Sequence, residues 1–222
     1  MRIMGNAGGM ATSDGDATPF LPAARTLEAL REAARSCHGC DLWQRATQTV
    51  FGEGPEGARM MLVGEVPGDR EDREGRPFVG PAGRELDRAF EAVGISRADV
   101  YLTNAVKHFR FEERGKRRIH QRPDARQIRA CRPWLRAEID VIRPEAIVVL
   151  GATAAKSLLG STFRLMAQRG QPLDSDLAPI VVATIHPSAI LRGPDDDARQ
   201  AQRQMFTDDL RVAVEALARS AR

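Results

Sequence analysis

The chain alternates short runs that are apolar at almost every position with longer segments whose apolar residues recur every third or fourth place. Arg59–Val63, Val100–Asn104, Ala146–Leu150 and Ile180–Thr184 are of the first kind. Such runs, rich in Val, Ile, Leu and Met, describe strands covered on both faces. Thr26–Arg35, Ala82–Val93, Pro123–Ile142, Ala152–Leu159 and Asp195–Arg219 read as helices. In Ala82–Val93, Leu86, Phe90 and Val93 share a face and Gly94 supplies the stop. Asp195 or Asp196 caps the last helix, and Val50-Phe51 is a candidate short strand. Strands alternating with helices predict an α/β fold, a three-layer α/β/α sandwich around a four-stranded, mainly parallel sheet. Ligands of such sheets sit beyond the carboxyl ends of the strands. Three of those ends here carry chemically competent side chains: Glu65, Asn104 and His186.

The longest loop the pattern leaves, Gly64 to Gly83, follows the first strand. Gly64, Gly68, Gly80 and Gly83 let backbone approach a ligand closely, while Pro67, Pro77 and Pro81 stiffen the path. Glu65 at the strand end and Phe78 held by Pro77 place a carboxylate near a flat apolar ring. That combination suits a planar ligand with polar edges such as a nucleobase; a charged surface loop with one core Phe fits the same residues. Lys107–Arg122 is a basic, irregular segment.

Composition narrows the class. At 222 residues the chain buries one good-sized core. Positions 1–22, rich in Gly, Ala, Ser, Thr and Asp, read as a mobile tail ahead of one domain at 23–222. No apolar run approaches membrane-spanning length and the tail lacks a secretion signal's apolar stretch, so the expectation is a cytoplasmic protein away from membranes. A net charge of +3 and a pI near 9.0 permit an anionic partner without demanding one. The cysteines are Cys37, Cys40 and Cys131, an odd number with one Cys-x-x-Cys pair. That count suits a metal centre better than a disulfide framework. No Gly-x-Gly-x-x-Gly joins a strand to a helix, which sets a Rossmann-type dinucleotide binder aside.

Four motifs occur in order beside their strands: Gly64-Glu65-Val66-Pro67-Gly68, Pro77–Gly83 (PFVGPAG), Thr103–Lys107 (TNAVK) and His186-Pro187-Ser188. Together they resemble the iron–sulfur uracil-DNA glycosylases, over roughly Ser36 to Arg192. Gly115–His120 (GKRRIH) resembles the signature loop of the X-type branch of that family, whose loop histidine becomes covalently joined to the DNA once the base is excised. The resemblance implies a uracil site on Gly64, Val66, Gly68, Asp69, Phe78 and Asn104, and catalytic roles for Glu65, His186 and His120. It implies phosphate contacts from Lys116, Arg117 and Arg118. The implied partner is uracil-containing DNA, single-stranded as well as duplex, met by a monomer.

The residue types suit that chemistry. Uracil must leave the base stack before its glycosidic bond can be reached. Phe78 would stack on the extruded ring, and the Asn104 amide offers a donor and an acceptor to O4 and N3–H of uracil, a pattern cytosine reverses. His186 would stabilise charge on O2. Glu65 would support the cationic sugar or hold the imidazole of His120, the nucleophile at C1′. The X-type branch usually carries glutamine where this chain has Val66, which cannot hydrogen-bond, so excision and cross-linking are both expected to be weaker. In the family's metal site the fourth cysteine falls where this chain has His108, implying a [4Fe–4S] cluster on Cys37, Cys40, His108 and Cys131. The same donors make an ordinary zinc set. Two rival functions are a conventional glycosylase that frees uracil and leaves an abasic site, and an iron–sulfur DNA-binding protein without catalysis.

Overall fold

The computed structural model describes residues 15–220. Its centre is a five-stranded sheet in the order β2-β1-β5-β7-β6. The four predicted strands are β1 (Met60–Gly64), β2 (Val100–Asn104), β5 (Ala146–Leu150) and β7 (Ile180–Thr184), all parallel to one another. The fifth, β6 (Pro172–Leu173), is an antiparallel edge strand two residues long, too short to show in the hydrophobic pattern. Val50-Phe51 forms no strand; nearby, Glu53 bridges Leu102 instead.

Successive residues along each strand enter different cores, as a period of two requires. Met61, Val63, Ile147, Val149, Val181 and Ala183 face one side, with α1 (Leu27–Ala34), α4 (Ala125–Ile142) and α5 (Ala152–Leu159). Met60, Leu62, Ala146, Val148 and Val182 face the other, under α3 (Pro81–Val93), α7 (Pro187–Ile190) and α8 (Asp196–Ser220). This is the expected three-layer sandwich. Asp124 and Gln127 form a reciprocal capping box that starts α4.

Three segments depart from the sequence reading. The loop after β1 contains a helical turn and a half, α2 (Asp69–Glu74), ended by Gly75 in the left-handed conformation. The basic segment after β2 folds as a hairpin, β3 (Phe111–Arg114) and β4 (Arg117–His120), turned by Gly115 at φ 60°. A short helix, α6 (Leu165–Gln168), precedes β6. The predicted tail is also too long: Ala17 is buried, its N–H donates to Ala130 O at 2.8 Å, and Phe20 packs on the core. Positions 1–14 of that tail lie outside the described residues. Among the described residues no helix is long and apolar enough to cross a membrane.

Candidate active site

The carboxyl ends of β1, β2 and β7 open into one cavity of about 740 Å³. Glu65, Val66, Phe78, Asn104, His120 and His186 all line it, so the hairpin brings the loop histidine to the strand-end residues. Gly68 and Asp69 line it too.

Close packing sets the floor. Gly64 pairs with Asn104 in the register of β1 and β2. A Cβ on Gly64 would fall inside Asn104 Oδ1 and lie 2.7 Å from Phe78 Cζ, so only glycine lets amide and ring approach. Phe78 is buried and holds φ 54°, a conformation costly for an aromatic residue. Arg97 clamps it there, donating to the carbonyls of Pro77 and Phe78 at 2.9 and 3.0 Å. The Phe78 and His186 rings lie 27° apart in plane with centroids at 6.1 Å. Val66 is buried in the larger core as well as lining the cavity, so its side chain is an apolar wall.

Asn104 rests on a buried polar network. Lys107 Nζ donates to Asn104 O at 2.8 Å, Thr103 Oγ1 at 2.6 Å and Glu138 Oε2 at 2.5 Å. Glu138 Oε1 accepts from Gly52 N, Tyr101 OH and Thr103 Oγ1 at 3.0–3.1 Å. The ammonium's donors and both carboxylate oxygens are engaged, the condition under which a buried ion pair is tolerated. The sequence reading missed this pair. Its signal was present: Glu138 falls among Trp134, Leu135, Ile139 and Ile142 on the buried face of α4.

The two cavity histidines are tuned in the same direction. Ser188 N–H donates to His186 Nδ1 at 3.1 Å, which makes Nδ1 an acceptor and leaves the neutral ring's proton on Nε2. Burial, with His120 and Arg192 nearby, pushes His186 down to about 4. His120 stands at the end of β4 with its ring 6.0 Å from that of Phe109. Although the residue is open to solvent, desolvation within the cavity lowers its basicity, helped by Arg192 and Arg122 and opposed by Glu71. Both rings are therefore neutral near neutral pH. Glu71, rather than the expected Glu65, is the carboxylate whose charge acts on His120; it is buried and accepts from Gly80 N at 2.8 Å. Desolvation raises the pKa of Glu65, against Thr153, Arg122 and Arg192. Its Oε1 is buried without a hydrogen-bond partner, an acceptor waiting for a donor.

Arg118 departs from the expected phosphate contact. Its side chain is 15% exposed, paired with Asp69 at 2.5 Å and with the fully buried Asp72 at 2.6 Å, and it lies over the rings of Phe109 and Phe111. Asp69 is correspondingly tied to Arg118 and Arg73. Arg118 thus pins the hairpin onto α2, and with it His120. Lys116 and Arg117 remain exposed on the hairpin. Arg118→Met is expected to free the hairpin and to slow any reaction of His120 about 100-fold, while a reaction needing only Asn104, Phe78 and His186 is spared. Single-turnover kinetics on the two variants Arg118→Met and Arg117→Met checks this, since the second keeps the anchor.

The predicted metal donors come from α1's end, β2's end and α4. Burial above all pushes the Cys40 thiol to about 11 and the Cys131 thiol to about 12, with Cys37 near enough that its charge would raise both. Uncompensated by a cation, the thiols of Cys40 and Cys131 stay protonated. Lys107 N–H points at Cys131 Sγ at 3.2 Å and Trp134 Nε1–H at Cys37 Sγ at 3.1 Å. Thr49 Oγ1 donates its proton to Ala34 O at 2.8 Å, so it accepts from His108 Nε2 at 2.9 Å. His108 Nδ1 therefore carries a free lone pair, the tautomer a metal ligand needs. Among the described residues no three His, Cys, Asp or Glu side chains are gathered tightly enough for a single ion. Three thiols and an imidazole are donors of the chemical type an iron–sulfur cluster takes.

Comparison with known proteins agrees with the cavity. A type-4 uracil-DNA glycosylase of Sulfurisphaera tokodaii is 39% identical over 178 residues, covering 77% of this chain and 78% of its own length. One from Thermotoga maritima is 37% identical over 175 residues, with coverage of 78% and 88%. A type-5 uracil-DNA glycosylase of Pyrobaculum aerophilum is more distant, 29% identical over 182 residues, 74% of this chain and 76% of its own. The family model of the uracil DNA glycosylase superfamily matches residues 51–211, from the segment before β1 well into α8. With the strand-end residues and the cavity they share, this match establishes that the chain belongs to the uracil-DNA glycosylase superfamily.

Proposed function

We propose that the protein excises uracil from DNA and then joins itself to the sugar through His120, as the X-type branch does. One observation carries the second half: His120 lines the same cavity as Asn104, Phe78, Glu65 and His186. The extruded uracil stacks on Phe78 and pairs with the Asn104 amide. As the C1′–N1 bond breaks, its electron pair goes to the base, and His186 Nε2–H donates to the developing charge on O2. The lone pair of His120 forms the bond to C1′. The imidazolium then loses its remaining N–H proton, for which Glu71 is the facing carboxylate, and the uracil anion takes a proton from water. Glu65, with its unpartnered oxygen, stabilises the cationic sugar between departure and attack.

Incubation with a uracil-containing oligonucleotide, single-stranded or duplex, followed by denaturing electrophoresis tests both halves. A band that survives heat and detergent supports the adduct. Alkali-labile strands without that band mean conventional turnover, and intact strands mean binding without catalysis. Conventional turnover is the second reading, favoured by Val66, whose apolar side chain can hydrogen-bond neither the base nor the imidazole.

Glu65 sets the expected pH dependence. Its carboxylate must be ionised, and its pKa is raised from 4.5 by burial. Protonation on the acid side removes activity, so the acid limb lies above 4.5, where His186 is still neutral. Glu65→Gln is expected to slow excision and to abolish that limb in a pH–rate profile.

A [4Fe–4S] cluster on Cys37, Cys40, His108 and Cys131 completes the reading. When bound it supplies a cross-link between the end of α1, the segment after β2 and α4. Purified anaerobically, the protein is expected to be brown and to contain iron and sulfide; a colourless protein with stoichiometric zinc overturns the assignment.

A further inference from the structure

Arg192 touches the site from its rim, and nothing in the excision scheme above uses it. It lines the cavity, and its charge acts on Glu65, His120 and His186. Its side chain has a defined partner: Nη1 donates to Ser188 Oγ at 3.0 Å. Ser188 Oγ in turn lies 2.8 Å from His186 Nδ1, and Ser188 N–H already donates to that nitrogen.

We propose that Arg192 is a positioning residue that, acting through Ser188, holds the proton of His186 on Nε2, the nitrogen left for the substrate. The argument is one of donors and acceptors. A guanidinium has only donors, so Arg192 takes a lone pair of Ser188 Oγ. The hydroxyl hydrogen is then turned toward Nδ1. With two donors on Nδ1, that nitrogen is an acceptor, and the ring presents Nε2–H. Without Arg192 the hydroxyl can rotate and accept from Nδ1–H, leaving Ser188 N–H as the single donor that opposes the other tautomer and the imidazolium. The wrong tautomer would offer uracil O2 a lone pair where it needs a donor.

The fixed charge works in the same direction. The groups facing His186 are Phe78 from the loop after β1, His120 from β4 and Arg192 from its own segment. Arg122, Glu65 and Glu71 share the cavity. A cation at position 192 opposes a second positive charge on either histidine.

The inference rests on the reading that the cavity takes uracil, but its test has an arm independent of activity. Long-range ¹H–¹⁵N spectra of the DNA-free holoprotein report histidine tautomers, and with four histidines the His186 signals are assignable from His→Gln variants. The unsubstituted protein is expected to show His186 as the Nε2–H form alone. Arg192→Gln and Ser188→Ala are expected to show a mixture, with His186 protonating about one pH unit higher. Arg192→Lys, also a pure donor, restores the single form. Single-turnover excision with saturating oligonucleotide should lose rate in the first two variants and recover in the third. An unchanged His186 spectrum in Arg192→Gln, with only weaker DNA binding, overturns the proposal and leaves Arg192 a phosphate contact. If the unsubstituted protein excises nothing, the uracil reading fails while the spectra still decide the role of Arg192.

Discussion

His120→Ser will abolish the heat-stable protein–DNA band while uracil continues to be released. The imidazole of His120 is neutral over the range in which the enzyme works, because its pKa lies below the ordinary 6.5. A neutral imidazole is nucleophilic, and its adduct with C1′ is an N-alkyl imidazole without a good leaving group. On the proposed scheme the product is therefore permanent, and the protein is expected to turn over once. Serine removes the ring but leaves room for water in the space beside C1′, and the unpartnered Oε1 of Glu65 can orient that water. The expected change is from near-stoichiometric trapping to none, with free uracil accumulating over several turnovers. Trapping that persists in His120→Ser would place the nucleophile elsewhere and end the covalent role assigned here. Because protonation silences the ring only from the acid side, trapping should be flat from neutral pH upward.

Much of this cavity's lining is legible in the sequence. Strand ends show in sequence because buried parallel strands are almost wholly apolar, so Glu65, Asn104 and His186 stand out as polar residues at or just past the end of each run. What escaped was set by contacts distant along the chain. The hairpin of β3 and β4 has exposed positions from Glu112 to Arg117, so no alternation betrays it. Arg118 reads as one more cation in a basic run until Asp69 and Asp72 are seen against it. The same holds for Glu71, hidden in a charged loop that proves to be helix α2. The hairpin's role is conferred by that salt bridge: it converts a solvent-facing ribbon into one wall of the cavity.

The pair that sequence reading passed over also has the largest expected effect on stability. Glu138→Ala would leave the Lys107 ammonium fully buried with only Thr103 Oγ1 and Asn104 O, and would strip Gly52 N–H and Tyr101 O–H of their acceptor. Breaking a buried pair in this way costs about 3–5 kcal/mol, which for a domain of this size lowers the melting temperature by about 10 °C. Lys107→Met is expected to cost less, since Glu138 keeps three donors in Gly52, Tyr101 and Thr103. Its effect falls on the site instead. Lys107 Nζ bonds the carbonyl of Asn104 itself, so its loss frees the end of β2 under the base. Amide positioning there is worth about 1–3 kcal/mol of base recognition, and kcat/KM for uracil should fall by the corresponding ~10- to 100-fold at temperatures where the variant is fully folded. Calorimetry separates the two substitutions, and single-turnover kinetics on Lys107→Met separates scaffold from site. Equal melting temperatures for both variants and the parent would mean that the network is ornamental, and that Asn104 is held by the packing of Gly64 and Phe78 alone.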